Sequence, residues 1–136
     1  MKILKFEDIE AWQEARRLVN MVYDLTNKKE FQKDFGLKEQ IQRAAVSCMS
    51  NIAEGFDSGS DQQFVQYLVY TRRSSSEVQS QLYVALDRKY IAQDEFNAVY
   101  EQAKKVAKLS NGFIKYLRTG RQADRRPVDW KTGRPT

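Results

Sequence analysis

An all-α fold, an antiparallel up-down-up-down four-helix bundle, is predicted by three observations on the sequence. Residues 64–85 place Phe64, Leu68, Thr71, Ser75, Val78, Leu82 and Ala85 at alternating intervals of four and three, the rhythm of a bundle seam. Comparable stripes recur at Leu37, Ile41, Ala45, Cys48, Ile52 and Phe56, and at Phe96, Val99, Ala103, Val106, Ser110, Phe113 and Leu117. The 136 residues include only two prolines and six glycines, a composition that favours long helices over a many-turned β fold.

The first helix is expected over residues 8–27, with Asp8 as N-cap and Glu10 facing the positive end of the helix dipole. Its inward residues are Ile9, Trp12, Ala15, Val19, Val22 and Thr26, with Leu18 and Tyr23 widening the stripe. Residues 28–36 connect it to the next helix; Phe31 and Phe35 there should fold over the bundle end, since two exposed phenylalanines would form an adhesive patch. The second helix covers 37–56, ending near Gly55, a residue that commonly terminates helices. The short linker FDSGS makes the second and third helices antiparallel neighbours. Ser60 and Gln63 form a capping box for the third, which runs to about residue 89 and is roughly 45 Å long. The fourth spans 93 to 117 or 118, and Gly120 ends it. The bundle is thus assigned to residues 1–118, and residues 119–136 to a basic tail that should be mobile in isolation. Trp130 within that tail suits stacking on a base, docking on a neighbouring subunit or simple exposure.

Composition excludes several chemistries. Histidine is absent, which removes Ser-His-Asp and Cys-His catalysis and histidine-ligated zinc. The single cysteine, Cys48, cannot form an internal disulfide and lies on a core stripe, where packing is its expected role. No apolar run approaches a membrane span, and MKILKF does not make a signal peptide, so a cytoplasmic protein is expected. Charge is unevenly placed: residues 1–100 hold 13 Lys/Arg against 15 Asp/Glu, whereas residues 101–136 hold 10 against 3. A basic end on a near-neutral body is the footprint of a polyanion partner, or equally of a solvated face and tail. The candidate phosphate contacts are Lys104, Lys105, Lys108, Lys115, Arg118, Arg121, Arg125 and Arg126. Lys104, Lys108 and Lys115 share one exposed flank, with Lys105 and Arg118 turned away.

Beside the apolar stripes run two polar ones, Gln40, Arg43, Ser47, Asn51 and Glu54 on the second helix and Tyr67, Tyr70, Ser74, Glu77 and Gln81 on the third. A hairpin centred near residue 58 sets Asn51 by Tyr67, Ser47 by Tyr70, Arg43 by Ser74 and Gln40 by Glu77, with Arg43 within salt-bridge reach of Glu77. Three readings follow: a hydrogen-bonded seam that fixes register, a subunit interface, or a ligand pocket. Small residues in the seam (Ala44, Ala45, Ser47, Ser74, Ser75, Ser76) favour close packing over a pocket. Glu54, Asp57 and Asp61 cluster at the turn and offer either a Mg²⁺ site for phosphodiester hydrolysis or ordinary caps and dipole partners. GFDSGS lacks the lysine and spacing of a P-loop.

The segments FEDIEAWQEARRLVNMVYDLT, FGLKEQIQRAAVSCMSNIAEGF and TRRSSSEVQSQL, in that order, resemble the bacterial four-helix-bundle proteins encoded in intervening sequences of 23S ribosomal RNA genes. The resemblance covers about residues 6–117 and is carried by Gly36-Leu37, Gln40-Ile41, Arg43-Ala44-Ala45, Ser47 and Asn51-Ile52-Ala53-Glu54-Gly55. It implies a homopentameric ring of antiparallel bundles without enzymatic activity; no cofactor and no metal are expected. A related bundle, the accessory variability determinant of diversity-generating retroelements, is a basic pentamer that binds a reverse transcriptase and nucleic acid. Two positions depart from the family: Ser58 replaces a basic residue after the NIAEG segment, and Arg73 replaces a glycine before the serines of the third helix. The first weakens any phosphate contact by that turn; the second sets a second cation beside Arg72. The expected function is non-enzymatic binding of RNA or DNA through backbone phosphates by a homo-oligomer. The alternative is a protein–protein scaffold or adaptor for a nucleic-acid enzyme such as a reverse transcriptase.

Overall fold

The computed structural model describes residues 4–120, 128–129 and 134–135. The body is all-helical: a 3₁₀ turn at Phe6–Asp8, then α1 (Glu10–Thr26), α2 (Lys29–Lys33), α3 (Phe35–Phe56), α4 (Asp61–Asp87) and α5 (Gln93–Lys115), closed by a π-helical turn at Tyr116–Gly120. In the tail, Val128–Asp129 and Arg134–Pro135 pair as a minimal antiparallel ladder, Val128 opposite Pro135. The rest of the tail, including Arg121, Arg125, Arg126 and Trp130, lies outside the described residues.

Four long helices enclose one core, each packing on two neighbours: α3 on α4, α4 on α5, α5 on α1 and α1 on α3. Every expected seam residue of α4 from Phe64 to Ala85 is buried, as are Phe96, Val99, Ala103, Val106, Ser110 and Phe113 of α5. Burying one such Leu, Val, Ile or Phe side chain is worth about 1.5–3 kcal/mol, so these two stripes supply much of the driving force. Local signals start the helices. The Ser60 hydroxyl accepts the Gln63 N–H at 3.2 Å, opening α4 where the capping box is expected. The Asp34 carboxylate accepts the Leu37 N–H at 3.1 Å and opens α3, while Glu95 accepts the Ala92 N–H at 2.8 Å at the start of α5. Lys28 reaches the same Glu95 carboxylate at 2.8 Å and ties the end of α1 to the start of α5. The last turn of α4 closes with Lys89 at φ 62 and the Tyr90 N–H bonded back to the Ala85 carbonyl at 2.9 Å, a Schellman closure that ends the helix two residues before the expected 89.

Several local expectations are corrected. Asp8 does not cap α1; the 3₁₀ turn keeps it upstream, where it accepts the Leu4 N–H at 3.3 Å, and fully buried Ile9 takes the N-cap position. The stripe of α1 holds at Ala15, Leu18, Val22 and Thr26 and shifts at its edges: Ala11 and Leu25 are also buried, whereas Trp12 and Val19 are half-buried and Tyr23 is exposed. The two connection phenylalanines part company, since Phe31 is fully buried on α2 and Phe35 is 74% exposed at the first position of α3. α3 ends at Phe56, one residue past Gly55, as expected, but Gly55 itself is still helical. Its reason is close approach: a Cβ there would lie 2.8 Å from Phe64 Cδ1 and from Tyr67 Cβ.

Candidate functional site

The two polar rows do face each other along the α3–α4 seam, in a register centred nearer residue 60 than 58, because α4 begins only at Asp61 after the Gly59 turn (φ 94). Ser74 therefore donates to the Ser47 hydroxyl at 3.1 Å, so Ser47 meets Ser74, not Tyr70. Asn51 donates to the Ser47 carbonyl and hydroxyl, both at 2.8 Å, instead of reaching Tyr67. One layer deeper, Thr71 Oγ1 donates to the Cys48 carbonyl at 3.2 Å. Cys48 Sγ lies 3.6 Å from Ser75 Oγ, and burial pushes the thiol up to about 11, which makes it a packing residue. Arg43 does not bridge to Glu77; its guanidinium pairs with Glu39 one turn back on its own helix at 2.6 Å.

The seam opens outward into two grooves. One, of about 500 Å³, is lined by Gln40, Arg43, Ala44, Ser47, Ser74, Glu77 and Gln81. Within it Gln81 Oε1 is buried with no hydrogen-bond partner among the described residues, a deficit of about 1–3 kcal/mol until a donor arrives. The other, of about 570 Å³, gathers Glu54, Asp57, Ser58, Tyr67 and Tyr70 with Ala53, Gln63 and Gln66. The rings of Tyr67 and Tyr70 stand perpendicular, centroids 6.1 Å apart, and Tyr70 is 40% exposed. Glu54 and Asp57 line this groove without Asp61, and among the described residues no three carboxylate or thiol groups assemble a metal site.

The expected cationic row occupies the outer face of α5. Lys104, Lys108 and Lys115 are exposed and make no ion pair among the described residues; Arg118 is exposed in the closing π-helical turn. Glu101, one turn before Lys104, bounds the row. Lys105 is committed elsewhere: its ammonium lies 3.5 Å from Glu14, a buried carboxylate on α1 that also accepts the Gln102 amide at 3.0 Å. A cation less visible in the sequence joins the row from α4, where Arg72 donates to Asn111 at 3.0 Å, on the strip between Lys108 and Lys115. Its signal was the Arg72-Arg73 pair, but only the α4–α5 packing shows which of the two reaches α5.

Glu14 also contributes to acid stability. Burial alone would push its carboxyl up, but the Gln102 hydrogen bond, Lys105 and Arg17 outweigh it and hold the group below the ordinary 4.5. The stabilisation is therefore complete above the ordinary carboxyl range and is lost as pH falls through the depressed folded value. Thermal unfolding between neutral pH and pH 3 should show a shallower acid decline in Glu14→Gln than in the native chain.

A compact all-helical protein with a polar inter-helix seam and a cationic outer helix face is the class that this arrangement defines. The chain belongs to the 23S rRNA-intervening sequence protein family, which it matches over residues 7–112. Among solved structures it is similar to a protein of unknown function from the S23 ribosomal protein family of Bacteroides thetaiotaomicron VPI-5482, with 25% identity and a TM-score of 0.66. The likeness covers 78% of this chain and 95% of that one. No curated protein matches. No helix among the described residues is long and apolar enough to cross a membrane.

Proposed function

We propose that this is a non-enzymatic cytoplasmic protein that binds RNA or DNA through backbone phosphates. The observation that carries this reading is the exposed row of Lys104, Lys108 and Lys115 on α5, extended sideways by Arg72 and free of acidic partners among the described residues. Cations along one rigid helix suit a phosphate backbone and carry no base-reading geometry, so binding should be weakly sequence-specific. The names of the 23S rRNA-intervening sequence protein family and of the S23 ribosomal protein family favour the same partner class.

The underlying architecture is an antiparallel up-down-up-down four-helix bundle. Cross-contacts that run in opposite senses along three of the four packed pairs support it: Gly55 nears Phe64 and Cys48 nears Ser75, Tyr83 meets Phe96 while Arg72 meets Asn111, and Glu14 meets Gln102 while Lys28 meets Glu95. Bundles of this kind assemble here as a homo-oligomer, with a pentameric ring the form that the family resemblance implies. The Gln81 oxygen on the seam, without a partner among the described residues, favours a second copy against that groove. The same feature favours the second reading, a scaffold for a nucleic-acid enzyme.

Fluorescence anisotropy with short RNA and DNA separates the readings. Affinity should fall steeply between about 50 and 200 mM salt, and each of Lys104→Gln, Lys108→Gln and Lys115→Gln should lower the log–log slope by about 0.9 on duplex DNA or 0.7 on single strands. Lys105→Gln should leave the slope nearly unchanged, because its ammonium serves Glu14. No binding at low salt would overturn the phosphate reading in favour of the scaffold, and a monomer in light scattering would overturn the ring.

A further inference from the structure

We propose that the acidic, aromatic-lined groove between α3 and α4 receives arginine side chains from this chain's own residues 121–126. This goes beyond the nucleic-acid reading and does not rest on it. The groove combines the two elements that guanidinium recognition uses, a carboxylate fork and an aromatic face. Glu54 and Asp57 supply carboxylates that make no ion pair or hydrogen bond among the described residues, and Tyr67 and Tyr70 present perpendicular rings beside them. A divalent metal is a poorer occupant, since no third acidic ligand joins the pair. Lysine fits less well too, because its ammonium cannot lie flat on a ring while forking to a carboxylate.

The source follows from where the chain goes. Phe113 on α5 lies 5.1 Å from Phe64, whose ring faces Phe56 at the end of α3 at 6.4 Å, so α5 finishes at the end of the bundle that holds the groove. Buried Tyr116 and Leu117 and the packing of the closing π-helical turn on α4 keep it there. The next six residues read RQADRR and carry three arginines. Six extended residues reach about 20 Å. The closing turn packs on α4, which forms one wall of the groove, and a helix is only roughly 10–12 Å thick. Charge is complementary, with residues 101–136 carrying 10 Lys/Arg against 3 Asp/Glu and the groove presenting two carboxylates that are unpaired among the described residues. Docking neutralises part of the basic tail, so a polyanion must compete with the groove for those arginines.

The test is NMR on the full chain. In the variant Arg121→Gln/Arg125→Gln/Arg126→Gln, resonances of Asp57, Ser58, Tyr67 and Tyr70 should move. Reciprocally, Glu54→Gln/Asp57→Asn should move the amides of residues 121–126, and both effects should collapse near 1 M salt, where the screening length is about 3 Å. Shifts confined to the neighbourhood of the substituted residues would overturn the proposal. Mixing the isotope-labelled triple variant with unlabelled native chain should leave the labelled groove unchanged; a return of native shifts would mean a neighbouring copy supplies the arginines, which overturns the own-chain assignment.

Discussion

Phe31→Ala is expected to cost about 3–5 kcal/mol, the range for deleting a large buried aromatic side chain. The ring is fully buried and packs on Tyr90 with centroids 5.3 Å apart. Its helix, α2, is five residues long, far too short to be stable alone, so side-chain anchorage holds it in place. Tyr90 in turn donates to Asp34 at 2.9 Å, and the same Asp34 carboxylate caps α3. Removing the Phe31 ring therefore leaves a cavity at one end of the bundle and loosens the joint that starts α3. Urea unfolding should show a lower midpoint with little change in slope, and the melting temperature should drop on the order of 10–20 °C. Phe35→Ala, four residues on, should stay within about 0.5 kcal/mol of the native chain, because that ring is 74% exposed. Equal losses at the two positions would show that the end of the bundle is packed differently.

That pair also shows what the sequence could and could not deliver. Periodicity located all four long helices, because a helix in a bundle must repeat its apolar contacts every three or four residues and nothing else in the chain competes for that rhythm. It failed where two phenylalanines sat in a short connection with no period to rank them. In α1 it found Ala15, Leu18, Val22 and Thr26 but ranked its edges wrongly: Trp12 and Val19 are only half-buried and Tyr23 is exposed, while the small Ala11 is buried. Size argues for burial in isolation, while close helix approach selects small residues, and only packing decides between them. Asp8 has the chemistry of an N-cap, but a buried isoleucine outcompeted it for the position because the hydrophobic contact is worth as much as the cap.

The site was legible in kind and blurred in register. Two polar rows on facing helices were visible from spacing, and they do converge. Their partners were misaligned by about one turn because a hairpin's centre depends on where capping starts the second helix, not on the middle of the linker. Ser47 then found Ser74, and Arg43 found a closer carboxylate on its own helix. Local i,i+4 pairing is entropically cheap compared with a bridge across the seam, so Glu39 wins over Glu77. The commitment of Lys105 to Glu14 was hidden for the same reason: a buried glutamate on α1 becomes visible only when α1 and α5 are packed together.

Gly55→Val should cost about 1–3 kcal/mol through overpacking, the second large effect, and it should alter the groove as well as the fold. A side chain there would need the space now held by Phe64 Cδ1 and Tyr67 Cβ, each 2.8 Å from the position of a new Cβ. Phe64 can yield little, being wedged between Phe56 and Phe113. Tyr67 Cβ is fixed to the α4 backbone, so relief requires α3 and α4 to separate. Gly55→Ala meets the same two atoms, but alanine's higher helix propensity, worth about 1 kcal/mol, offsets part of the loss. Gly112→Ala provides the contrast within α5: nothing lies within 4 Å of a Cβ there, and the same propensity gain should appear undiminished. Thermal unfolding of the three variants should rank Gly112→Ala above native, then Gly55→Ala, then Gly55→Val. Displacing Tyr67 also turns the ring that stands perpendicular to Tyr70, so the ring resonances of both tyrosines should shift in Gly55→Val. A variant as stable as the native chain, with those resonances unmoved, would mean that α3 and α4 are not in close contact at this corner and that the groove beside it has another shape.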